Sequence, residues 1–341
     1  MNVVRKFLTA TVIGALALCI GCAPSIRLEV IKPAEVNMKG AKKLAVMDYG
    51  FPVPNKPMGA DDLLKAAFAK MIGVQMQERE TPEMKLAKCA TSKTISVLSS
   101  TQYFSILAPG DLSRTFVGGP GQPPPSAMDI GKKAGAQSII LGEIEQLNFD
   151  DEPFTVEHKR DNGKKDIEHK IRRTVSVRMS YRVIETETGS LLATKTLEGK
   201  TQQVVMEGER RDLHSPEDLG CQVLDKILPS MAKQLAPYKV LQSRILMKDK
   251  TKNPEFERAL KFLKGNMYQN AYDIFSQIYK TSGNIAAGYN AAITKEAIGD
   301  IEGAYNEMNE LASKTAEPDV IREVNRLKYA WEEQKKALSQ M

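Results

Sequence analysis

From Ile167 to Val183 every second residue, through Ile171, Val175, Val177, Met179 and Tyr181, is mostly apolar, while most of the intervening positions are charged or hydroxylated. Period-two alternation predicts a strand with one buried face. Thr188-Gly189 then reads as a hairpin turn into a partner strand over Leu191–Leu197. Shorter strands are expected where Ile26, Leu28 and Val30 alternate before Pro33, in KKLAVMDYG (42–50), in YFSIL (103–107) and in SIILGEIEQL (138–147).

Helical spacing takes over elsewhere. Leu63, Leu64, Ala67, Phe68, Met71 and Ile72 recur on one face behind Asp61 and Asp62, whose charges suit a helix N-terminus. Thr81-Pro82 starts another helix, with Thr81 as N-cap and Leu86, Cys89 or Ala90, and Val97 or Leu98 facing inward. Ser126, with Asp129 three residues on, opens a short helix ending near Gly135. Ser215-Pro216 opens one that carries Val223, Ile227, Leu228 and Met231, with a kink expected at Pro229. FVGGPGQPPPS (116–126) is too rich in Gly and Pro for helix or ladder.

After the charged run KDKTKN and Pro254 the strand signals vanish. The fold class expected is therefore α+β: a mixed sheet with helices, then an all-helical region. Within that region LKGNMYQNAYDIF is echoed by AIGDIEGAYNEM, with Ala271 and Ala304 thirty-three residues apart, as are Phe275 and Met308. That spacing lies close to the roughly 34-residue period of a tetratricopeptide repeat, in which small residues let antiparallel helices touch. An amphipathic helix bearing Ile321, Val324, Leu327 and Trp331 would cap the stack. Such repeats hold a peptide or protein partner, and Tyr268, Tyr272, Tyr289, Asn290 and Tyr305 are the candidate contacts.

The first residues add a compartment. Arg5 and Lys6 precede an apolar run of roughly a dozen residues, the layout of an export signal and shorter than the ~20 residues of a spanning helix. Cys19-Ile20-Gly21-Cys22 resembles the bacterial lipobox, which implies acylation of Cys22. Ala23 in place of Asp, by the same resemblance, implies the outer membrane, with the protein lipid-anchored on the periplasmic face. The divisions expected are a signal peptide at 1–21, a tether at 22–37, a mixed α/β domain at 38–240, a linker at 241–254 and the helical domain at 255–341.

Composition closes off other classes. Loss of Arg5 and Lys6 takes the formal charge from +6 to +4, too small a bias to imply nucleic acid. Cys89 and Cys221 remain after the leader and Cys22 are set apart; in an oxidising compartment they pair or stay two buried thiols. His158, His169 and His214 lack metal-ligand spacing, and no nucleophile-base or phosphate-loop pattern stands out, so no cofactor and no enzymatic activity are expected. Glu143 and Glu145 are the one carboxylate pair that an envelope hydrolase would use.

KGAKKLAVMDYG, TQYFSIL, IGKKAGAQSIILGEI and SYRVIETETGSLLATKTLEG, in this order, resemble signatures of the curli-secretion channel subunits, the CsgG-like outer-membrane lipoproteins. The resemblance spans roughly Met38–Tyr238 and implies a role in curli assembly or secretion, with some members assembling as homo-oligomeric pores. The residues argue for a domain without the barrel: a membrane hairpin here would set His169 and Arg173 toward lipid, at ~2–4 kcal/mol for an arginine at the midplane. The function expected is an anchored accessory or scaffold in envelope assembly or export of surface material, acting through protein contacts. The alternatives are an oligomeric secretion pore and an activator of a peptidoglycan synthase.

Overall fold

A computed structural model describes residues 24–51, 80–115, 127–159 and 165–341. Cys22, the helix expected over Leu63–Ile72, the Gly/Pro-rich loop and the Ser126 cap lie outside the described residues. The chain forms an N-terminal mixed α/β domain followed by an all-helical region. It divides into two compact units, one of Pro33–Tyr238 with Ala337–Met341, the other of the described residues up to Lys32 with Lys239–Lys336.

In the α/β unit one five-stranded sheet runs β3-β2-β4-β5-β6, from β2 (Lys43–Val46), β3 (Ser105–Leu107), β4 (Ser138–Lys159), β5 (Lys165–Glu185) and β6 (Leu191–Met206). β2 is parallel to β3 and β4, whereas β4-β5 and β5-β6 are antiparallel hairpins. Gly189 turns the second hairpin with φ +73°, a conformation that glycine adopts without a Cβ penalty. The alternation read in β5 is the packing: Val175, Val177, Met179, Tyr181 and Val183 are buried.

Helix α1 (Pro82–Ser100) covers that face together with α4 (Pro216–Leu235). Leu86, Ala90 and Leu98 of α1 meet Val223, Leu224, Leu228 and Met231 of α4 in one core. Each helix starts as its sequence dictates: the Thr81 hydroxyl accepts from Met84 N–H, and Ser215 accepts from Asp218 N–H, with proline next in both. Pro229 lies inside α4 without ending it. Cys89 and Cys221 join the two helices as a disulfide, with Cα atoms 6.2 Å apart. Short α2 (Pro109–Thr115) and α3 (Ala127–Ala134) accompany a second cluster of Leu112, Ile130, Ile139 and Leu141.

One sequence expectation changes here. β4 continues twelve residues beyond Leu147, through NFDDEPFTVEHK, paired to β5 as far as Lys159↔Lys165. Among the described residues only β5 pairs with that stretch, so Pro153 removes no ladder bond on the other side. The sheet is also open: its order ends in β3 and β6, and among the described residues no sheet closes into a barrel.

The second unit holds a two-stranded ribbon of β1 (Ser25–Lys32) and β7 (Tyr238–Ile245) and the helices α5 (Pro254–Lys264), α6 (Tyr268–Ser282), α7 (Ile285–Ile298), α8 (Ile301–Thr315) and α9 (Pro318–Gln340). The stretch expected as a tether thus contains a strand, with Ile26 and Leu28 buried in the helical core. Ala271, Phe275, Ala304 and Met308, the echoed positions, are fully buried. On α9 the inward face runs through Val320 and Leu327, while Ile321 is exposed, one position out of the phase expected. Among the described residues no helix is long and apolar enough to cross a membrane.

Candidate partner-binding groove

Caps and small residues set the helical hairpins. Asn253, Asn284 and Asp300 accept backbone N–H bonds at the starts of α5, α7 and α8, and Gly283 and Gly299 end α6 and α7 in left-handed conformations. Gly288 lets α7 approach α6: a Cβ there would stand 2.9 Å from the Tyr279 ring.

One side of these hairpins is already filled by the unit's own chain. Asn290 is fully buried; its Oδ1 accepts from Met247 N–H at 2.8 Å and its Nδ2 donates to Met247 carbonyl at 2.9 Å. Beside it Glu296 accepts from Arg244 Nη2 at 2.8 Å and Arg326 Nη1 at 2.9 Å. Burial alone would raise the Glu296 carboxyl; the hydrogen bonds from the two guanidiniums outweigh it and hold the group below the usual carboxylate range. These are structural contacts, and Asn290 has no free amide to offer a partner.

Another side is open. A groove of about 580 Å³ runs among α6, α7 and α8, with Gly288 and Ala291 as floor and Tyr272, Ser276 and Tyr279 facing Glu307, Leu311 and Lys314. Tyr272 Oη donates to Glu307 Oε1 at 2.6 Å, Lys295 Nζ donates to the same oxygen at 2.7 Å, and the Lys295 ammonium lies 5.3 Å from the Tyr272 ring centre. Burial, then the bond to Glu307, raises the Tyr272 phenol. Lys280, Glu310 and Lys314 line it too. Aromatic faces flanked by both signs of charge suit non-covalent contact with a polar, aromatic-bearing segment.

Of the five candidates from the sequence, only Tyr272 lines this groove. Tyr268 donates to Asn266 Oδ1 at 3.0 Å and lines a different cavity. Tyr289 is half-buried, its phenol pushed up to about 12, first by burial and then by Glu323. Tyr305 stacks on Trp331, ring centres 5.6 Å apart. Tyr279, Lys280, Glu307 and Lys314 went unread, although Tyr272-Ser276-Tyr279 and Glu307-Leu311-Lys314 both show the four-then-three spacing of a single helix face.

The two carboxylates of β4 stay close enough to interact. Glu145 is bound by Arg178 at 2.9 Å, and the Glu143 carboxyl is raised by burial and by Glu145. Among the described residues no group of three His, Cys, Asp or Glu is placed to hold a metal ion.

No protein-family model matches the chain, and no curated protein matches it. Solved structures give distant likenesses: a PelC dodecamer from Paraburkholderia phytofirmans at 10% identity, covering 60% of this chain and 96% of that one, with a TM-score of 0.27; the LpoB C-terminal domain from Salmonella enterica at 12%, 50% and 85%, with 0.22; and a putative neuraminyllactose-binding hemagglutinin homolog from Helicobacter pylori at 11%, 60% and 88%, with 0.28. Values this low carry no argument about function. The resemblance to curli-secretion channel subunits is overturned by the absence of a family match and by the open sheet, and the roles in curli assembly and secretion fall with it.

Proposed function

We propose that the protein is a non-catalytic outer-membrane lipoprotein, anchored through Cys22 on the periplasmic face, that holds a protein partner in its helical unit. The groove along α6, α7 and α8 carries this reading: it is open, aromatic and charged with both signs, while Asn290 and Glu296 of α7 are taken by the chain itself. A tetratricopeptide-like identity for the two hairpins is supported by the burial of Ala271 and Ala304, and of Phe275 and Met308, at matched positions.

A photo-crosslinking residue at Ser276 in cells is expected to capture one discrete protein. Changing Lys280 and Lys314 together to Glu is expected to abolish that product. A product that persists unchanged in the double variant, or diffuse labelling alone, would rule the groove out as the partner site.

A further inference from the structure

The chain enters the described structure at Pro24, two residues after Cys22, and is fixed at once: Leu246 N–H donates to Pro24 carbonyl at 2.8 Å, and Ile26 and Leu28 are buried against the helices. Two residues span at most about 7 Å. Whatever holds Cys22 therefore lies against this end of the ribbon, and its surface has the matching chemistry.

By strand alternation Arg27 and Glu29 of β1, with Leu241 and Ile245 of β7, lie on the outward face of the ribbon. Leu241 and Ile245 are 73% and 66% exposed and share that face, so they form an apolar pair on it instead of one isolated side chain. A cavity of about 340 Å³ opens beside Pro24; Leu260 lies in its wall, and Arg27, Lys261 and Lys264 stand around it as exposed cations. Among the described residues none of these three has an ion-pair partner. Glu257 shares the cavity lining, and Glu29 is taken by Lys239 at 2.7 Å.

We propose that this corner of the helical unit, the outer ribbon face with the last turn of α5, is a membrane-docking surface for anionic phospholipid headgroups. The proposal rests on the reading of Cys22 as the anchor. Arg27, Lys261 and Lys264 meet the phosphates, and Leu241 and Ile245 enter the interfacial layer, so that lipid anchor and protein surface act as two linked contacts. One acyl-bearing residue fixes distance; the basic, aliphatic face fixes which side of the unit lies on the bilayer.

The test uses the mature chain from position 22 with Cys22→Ser, which separates the surface from the anchor. Sedimentation with vesicles of phosphatidylcholine containing about one third phosphatidylglycerol is expected to show binding that vesicles of phosphatidylcholine alone do not. Lys261→Glu with Lys264→Glu is expected to weaken it roughly 30-fold or more, from about 1 kcal/mol per basic residue. Ile245→Glu should weaken it as well, and Lys88→Glu, on the other unit, should leave it unchanged. Binding indifferent to lipid charge, or equal loss in the Lys88 variant, overturns the docking surface. Labelling of the unmodified protein in cells with an alkyne fatty acid reads the anchor separately. Label lost in Cys22→Ser together with charge-dependent binding supports both; no label at Cys22 ends the anchor reading and the proposal with it; label without vesicle binding ends the surface alone.

Discussion

Asn290 and Met247 exchange two hydrogen bonds, Met247 N–H to Asn290 Oδ1 at 2.8 Å and Asn290 Nδ2 to Met247 carbonyl at 2.9 Å. One buried carboxamide thus satisfies both backbone groups of a residue that lies past the end of β7 and outside any ladder, in the way a side chain would grip a bound peptide. The segment that leads into α5 is held by its own helical unit.

Replacing Asn290 by Ala removes both bonds and leaves a backbone donor and acceptor without partners. Each bond contributes about 1 kcal/mol net, and each orphaned group costs about 1–3 kcal/mol. A loss of about 2–4 kcal/mol is expected, read as a fall in the urea midpoint with an unchanged slope. A variant within 0.5 kcal/mol of the parent would mean that water replaces the side chain.

The disulfide between Cys89 and Cys221 closes a loop across 132 residues, and its two helices also pair Lys85 with Glu217 at 3.0 Å. Long loops lose the most unfolded-state entropy when closed. Reduction is expected to lower stability by about 2–5 kcal/mol, measured as the difference between urea curves with and without dithiothreitol. The Cys89→Ser, Cys221→Ser variant should unfold like the reduced protein under both conditions. Two free thiols titrated in the unreduced native protein would contradict the bridge.

Glycine at position 142 is required by Tyr49. A Cβ on Gly142 would lie 2.0 Å from the Tyr49 ring, and the ring has nowhere to go: Tyr49 N–H donates to Thr91 Oγ1 at 2.9 Å and its hydroxyl accepts from Thr94 Oγ1 at 3.0 Å. Gly142→Ala should therefore destabilise by about 1–3 kcal/mol through overpacking. The Tyr49→Phe background keeps the ring and releases its hydroxyl end, so the penalty measured there should be smaller; an equal penalty would place the strain elsewhere.

These contacts also show where the sequence was legible. Alternation in β5, the caps at Thr81 and Ser215 and the boundary at Pro254 follow from local chemistry, and the structure has them. Beyond Leu147, β4 is exposed at most positions, so no burial pattern marks it as a strand; only its ladder to β5 does. On α9 both Val320 and Ile321 are apolar, and the choice between them depends on the packing direction of a helix, which neighbouring apolar residues leave ambiguous. Tyr272 and Asn290 looked alike as partner contacts because nothing local says that residue 247 will cover the second. The groove itself is made by three helices, and spacing shows one helix face at a time.

The pH response should follow from Glu296 and Asp249, both in the helical unit. Burial raises the Asp249 carboxyl, but the N–H groups of Asn253 and Thr251, with the Thr251 hydroxyl and Asn284 amide, overcome it and bring it to about 2. Glu296 is also held low, by Arg244 and Arg326 against burial. A carboxyl whose folded pKa lies below its unfolded value of about 4 stabilises fully above that value and loses its contribution as pH falls through the folded one. The midpoint of thermal unfolding is therefore expected to hold steady from pH 7 to about 5 and to drop between about pH 4 and 2. Asp249→Asn should lower the plateau and flatten the drop, because its native-state proton no longer changes. Glu296→Gln differs in kind: Arg326 keeps Glu323 at 2.6 Å, but the buried Arg244 is left without a carboxylate, where removing one member of a buried ion pair costs about 3–5 kcal/mol, and the loss should already be present at pH 7. An Asp249→Asn curve parallel to the parent through the acid range would place the titrating groups elsewhere.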